Sequence, residues 1–248
     1  MRKGRKRRRK WKIAGRVFLV LLLLSAVGAL VAVKGFTVDE IEVKNSEYYS
    51  DKEIKEWLLM EEHSWNSLYV FFRNNFAQER ELPFVESIKI ALKSPHVLEA
   101  RVQEKELMGC VYIAAVGQYA YFEKEGVVVE MSSRVISGVP QVKGLDVDKI
   151  ILGEKLPIKG KSVLKNLLSL SHMLKKHEMA PDIIKYGQEG SYTLKYGKIS
   201  VLLGQAHNFN EKVIRISHIM PKLEGQKGVL HLESWTDNTT DVTFEKTK

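Results

Sequence analysis

Apolar residues run from Val17 to Val33 without a charge, and Arg16 and Lys34 bound the run. A helix over this stretch is hydrophobic on every face, which a water-facing helix is not. At ~1.5 Å per residue its 17 positions cover about 26 Å, close to the ~30 Å hydrocarbon core of a bilayer. Val17, Leu21, Leu24, Gly28 and Val33 are therefore assigned to a membrane-spanning helix. Trp11 and Ile13 can extend it, and Arg16 and Lys34 can reach the two interfaces.

Beyond the span the pattern changes. Residues 35–106 predict the order β-α-α-β-β. Phe36 to Val43 ends in the alternation of a half-buried strand. Ser50 and Glu53 have capping-box spacing ahead of a helix stripe at Ile54, Trp57 and Leu58. Trp65, Leu68, Tyr69, Phe72 and Phe76 mark a second helix whose aromatic stripe is expected in the core. Val85, Ile88, Ile90 and Leu92 predict a strand, the Ser94-Pro95 turn follows, and Val97 to Val102 return.

Residues 107–245 predict a larger mixed β domain with two helices. Val111–Ala115, Tyr119–Phe122 and Val127–Met131 form a meander, and Val139-Pro140 with Gly144-Leu145 lies in an irregular connection. A helix over Ser162–Met179 precedes strands Ile183–Tyr186, Tyr192–Lys195 and Ile199–Leu203. Asn208 and Glu211 suggest the cap of a last helix carrying Phe209, Val213, Ile216 and Met220. Strands Val229–Ser234 and Asp241–Phe244 finish the domain, and 246–248 is a short tail. The fold class is thus α+β: a transmembrane helix and two exported domains.

Charge fixes the expected orientation. The net charge is +9, but 11 of the 39 Lys and Arg lie in the first 34 residues, which hold no acid. The remainder carries 28 basic against 30 acidic side chains, so a nucleic-acid surface is not implied. Ten basic residues precede the span, which places the tail 1–16 in the cytoplasm and the body outside. Ala26-Val27-Gly28 resembles a cleavage site, and cleavage there would release a secreted module beginning near Ala29.

Candidate chemistry is sparse. Cys110, the one cysteine, lies in an apolar run with no thiol to pair with. The seven histidines have neither the i, i+4 spacing of a zinc helix nor a neighbouring cysteine pair. Nucleophile-elbow, P-loop and dinucleotide glycine patterns do not occur. Gly187-Gln188-Glu189-Gly190 reads as a turn, and Asn238-Thr239-Thr240 matches a glycosylation sequon. No catalytic, metal or cofactor residue is assigned. An envelope enzyme with dispersed catalytic groups is the rival reading.

The order of features resembles the bacterial division proteins of the FtsQ/DivIB family over most of the chain. The basic tail, the single anchor and a POTRA-like first domain from Phe36 carry the resemblance. It continues through Ser94-Pro95-His96-Val97, Glu104-Lys105-Glu106, the hairpin Tyr119–Val129, Val139-Pro140 with Gly144, Val201-Leu202-Leu203-Gly204, Lys212 and Leu230-His231-Leu232. Leu107 stands where the family usually has proline, and His231-Leu232-Glu233 stands where members often have Asp-Leu-Arg. The resemblance implies a non-enzymatic scaffold at the division septum. It would bind single-pass coiled-coil partners of the FtsB/DivIC and FtsL types and help control septal peptidoglycan synthesis.

The last two strands are the expected partner site. A C-terminal strand is often an open sheet edge, able to take an extended segment as a further strand. Leu230, Leu232, Ser234, Trp235, Val242 and Phe244 are the candidate contacts, with Trp235 either an interface anchor or a cap on the core.

Overall fold

The computed structural model describes residues 3–77, 81–147, 149–235 and 242–247. Asp241 and the sequon at Asn238 lie outside the described residues, as do Met1, Arg2 and Lys248. The structure is α+β, and the chain divides into two compact units, Met1–Glu104 and Lys105–Lys248.

Helix α1 runs over Lys3–Lys34. Its part from Arg16 to Lys34 has a mean hydropathy of 2.6, holds no buried residue, and is long and apolar enough to cross a membrane. The helix continues through the basic tail rather than stopping at Arg16, because Lys and Arg are good helix formers.

The rest of the first unit holds β1 (Glu40–Lys44), α2 (Asp51–Leu58), α3 (Ser67–Phe76), β2 (Val85–Ser94) and β3 (Val97–Glu104). Its sheet has the order β1-β3-β2, with β1 parallel and β2 antiparallel to β3. Ser50 caps α2: its hydroxyl accepts from the Glu53 N–H, and the Glu53 carboxylate accepts from the Ser50 N–H. Ile54 and Leu58 on α2 and Val70 on α3 are fully buried in a core with Ile88, Ile90, Leu98 and Ala100. Asn75 holds α3 to β2: its amide donates to the Ile90 carbonyl, and its carbonyl accepts from the Ile90 N–H. A side chain thereby satisfies backbone groups on the edge of a short sheet.

The aromatic stripe of α3 does not take the inward position expected of it. Val70 and Asn74 face the core, while Trp65, Phe72 and Phe76 are 48%, 56% and 76% exposed. The small inward residues let α3 approach the sheet closely, and the bulky rings fall on the opposite side.

Among the described residues the second unit is built on one nine-stranded sheet, ordered β12-β11-β10-β9-β8-β7-β4-β5-β6. Its strands are β4 (Gly109–Ile113), β5 (Gln118–Phe122), β6 (Val128–Ser132), β7 (Gln141–Lys143), β8 (Ile183–Tyr186), β9 (Tyr192–Tyr196), β10 (Ile199–Gly204), β11 (Gly228–His231) and β12 (Thr243–Lys246). Helices α4 (Lys161–Lys176) and α5 (Phe209–Ile219) bring Leu167, Leu170, Leu174, Val213 and Ile216 into one core with Val111, Phe122, Ile184, Leu194, Val201 and Leu230. At the β4–β5 end of the other face, the Tyr121 hydroxyl donates to the Arg134 carbonyl and accepts from the Ile136 N–H.

Three local expectations are corrected. The connection after Pro140 contains β7, which pairs in parallel with β4 and β8 and buries Val142. Asn208 precedes α5 in a left-handed conformation with φ 54°, and its side chain makes no capping bond. Of the last two strands, β11 is shorter than expected and stops at His231, and β12 is shifted, beginning at Thr243.

Candidate partner-binding edge

Strand β12 stands at one end of the nine-stranded sheet and pairs only with β11 among the described residues. The register sets Gly228 against Lys246, Val229 against Glu245, Leu230 against Phe244 and His231 against Thr243. One further bond, from the Thr247 N–H to the Lys227 carbonyl, fixes which residues face which way. Hydrogen-bonded pairs alternate along an antiparallel ladder. Thr247, Glu245 and Thr243 therefore spend their backbone groups on the β11 side, and Phe244 and Lys246 turn theirs outward.

The side chains divide the same way. Val242 and Phe244 are half-buried and pack on the main core, with Phe244 beside Leu230. On the opposite face, Thr243 and Glu245 are exposed. The edge thus presents outward N–H and C=O groups, an apolar flank continuous with the core, and a polar flank.

His231 ties this strand to its neighbour. Its Nδ1 lies 2.8 Å from Glu233 Oε1, and its Nε2 lies 3.6 Å from Glu245 Oε2 on β12. The Glu233 hydrogen bond, helped by the charge of Glu245, holds the imidazolium pKa above its ordinary 6.5.

Behind β11, Lys212 of α5 is buried, and its Nζ donates to the Leu203 carbonyl at 2.6 Å. Burial pulls its pKa down, and Glu233 opposes that pull. Trp235 is 7% exposed, with the Arg215 guanidinium 5.0 Å from its ring centre. Its indole N–H meets no acceptor among the described residues.

The six candidate contacts separate clearly. Leu230, Leu232 and Trp235 are buried in the core. Val242 and Phe244 flank the open edge, and Ser234 is exposed in the turn after β11. Sequence reasoning missed Lys246, which offers an outward backbone. Nothing in its side chain signals that role, because the hydrogen-bond phase of the ladder decides it. Among the described residues no three His, Cys, Asp or Glu side chains gather as a metal shell would require.

No family model matches the chain, and no curated protein matches it.

Proposed function

We propose that this protein is a membrane-anchored, extracytoplasmic scaffold of the FtsQ/DivIB type, active in bacterial division through binding rather than catalysis. In this reading α1 is the single anchor, with its basic end in the cytoplasm. The first folded unit is a POTRA-like domain, which its β-α-α-β-β order and β1-β3-β2 sheet support. The second unit is the binding domain, and the protein acts at the septum.

The observation that carries the proposal is the open edge of β12, with the outward backbone of Phe244 and Lys246 and the apolar flank of Val242 and Phe244. An extended segment of an FtsB/DivIC-like partner adds there as a tenth strand. Backbone bonds supply its affinity, and apolar residues at alternate positions continue the core. The same reading takes an FtsL-like protein as a second partner.

Lys246→Pro tests this. Proline removes one outward N–H, leaves the β11 side of the ladder intact, and is tolerated on edge strands. The purified variant should fold as the wild type does by circular dichroism and lose affinity for the DivIC-like partner's extracytoplasmic segment by about tenfold or more, the equivalent of ~1.4 kcal/mol. Unchanged affinity in a folded Lys246→Pro protein places partner binding elsewhere.

A further inference from the structure

The exposed rings of Phe72 and Phe76 on α3, with Trp65 just before it, form an apolar feature of the first unit that the partner-edge reading does not use. Phe72 and Phe76 lie at i and i+4 on one side of the helix, and the exposed Trp65 stands just before its cap, Asn66. The Phe72 and Phe76 rings stand 5.9 Å apart, and Phe71 packs edge-on to both. A continuous aromatic face of this kind marks an interaction surface.

Its position relative to α1 identifies the occupant. Asn66 Nδ2 donates to the carbonyl of Ala32, inside the last turn of the apolar helix, at 2.7 Å. The Trp65 carbonyl accepts from the Val38 N–H at 2.8 Å, and the Ser67 N–H donates to the Phe36 carbonyl. The head of α3 is thus bonded directly to the segment that leaves the apolar helix. With Arg16–Lys34 in a bilayer, Trp65 stands at the membrane–water boundary, where tryptophan is favoured. On α3 itself, Arg73 is paired within the unit, its Nη1 2.8 Å from the Glu61 carboxylate. The rings themselves carry no charge, so the contact suits a zwitterionic lipid boundary and does not depend on anionic headgroups.

We propose that α3 lies along the outer leaflet, with Trp65, Phe72 and Phe76 seated among the headgroups as a second membrane contact beside the anchor. This inference rests on the reading of α1 as a membrane span. The seat would hold the first unit against the bilayer at a second point, beyond the bonds at the end of α1.

The test uses the full chain in phosphatidylcholine nanodiscs. Cys110→Ala supplies a cysteine-free background. Single cysteines at Phe72→Cys, Phe76→Cys, Val27→Cys and Glu86→Cys then carry an environment-sensitive fluorophore. These sites are exposed, so labelling spares the core. Lipids brominated near the headgroup or near the chain ends report depth. Val27 should be quenched most by deep bromines. Phe72 and Phe76 should lose emission to shallow bromines and be blue-shifted, equally with or without added phosphatidylglycerol. Glu86, on β2 at the far end from the Ser94-Pro95 turn, should be unaffected. Loss of quenching at Val27 removes the anchor and the seat together. Quenching at Val27 with none at Phe72 and Phe76 keeps the anchor and overturns the seat, leaving the stripe to a protein. Quenching that appears only with phosphatidylglycerol also overturns the zwitterionic seat.

Discussion

Gly228 on β11 lies directly beneath the ring of Phe244 on β12. A Cβ at Gly228 would meet the Phe244 ring at 2.7 Å and overlap the carbonyl oxygen of Glu245. The missing side chain is what allows the edge strand to close onto its neighbour and Phe244 to reach the core.

Gly228→Ala should therefore loosen β12. Overpacking against backbone costs about 1–3 kcal/mol, and the strand's preference for alanine over glycine returns only ~0.5–1 kcal/mol. A net loss of about 1–2 kcal/mol is expected in urea denaturation, together with weaker partner binding. Wild-type stability and binding in Gly228→Ala would show that the contact relaxes freely.

The His231 bridge predicts a pH dependence. Its folded pKa is raised above the ordinary 6.5 by Glu233 and Glu245. The folded state then holds its proton more tightly than the unfolded chain does. The contribution is fully present below 6.5 and is lost as pH rises through the elevated folded value. The stability difference between wild type and His231→Gln should shrink on going from mildly acidic to alkaline buffer. Thermal melts of both proteins across that range measure it, and a difference that grows with pH would contradict the bridge.

Cys110 faces Tyr121 across β4 and β5 and is 4% exposed, and burial pushes its thiol pKa up to about 12. The folded protein should react with thiol reagents far more slowly than the unfolded chain, since little thiolate forms near neutral pH. Cys110→Ala should cost on the order of 1 kcal/mol and leave partner binding unchanged. Loss of binding at wild-type stability would assign the thiol a role.

Elements with strong local signals were legible in the sequence. The span from Val17 to Val33, the Ser50–Glu53 cap and the alternation at Ile88 and Ile90 each report a local preference, and the structure shows the matching elements. The failures share a cause in tertiary context. The α3 stripe has helical spacing, but spacing alone does not say which side meets the sheet. Val70 and Asn74 settle that by fitting a close approach. Strand β7 is only three residues long and is held by parallel neighbours distant in sequence, so no alternation announces it. At the edge, Leu230, Leu232 and Trp235 stood out by their apolar character, which reflects the core they fill. The outward groups of β12 are backbone atoms of Phe244 and Lys246, and ladder phase has no signature in composition.

Amide hydrogen exchange at Phe244 and Lys246, with and without the partner's extracytoplasmic segment, tests strand addition at β12 most directly. In the free protein these two outward amides should exchange quickly, while those of Thr243 and Glu245, bonded to β11, are protected. Saturating partner should slow Phe244 and Lys246 by about an order of magnitude or more, with little change at Glu245. Partner binding that leaves Phe244 and Lys246 exchanging at the free rate would contradict the account.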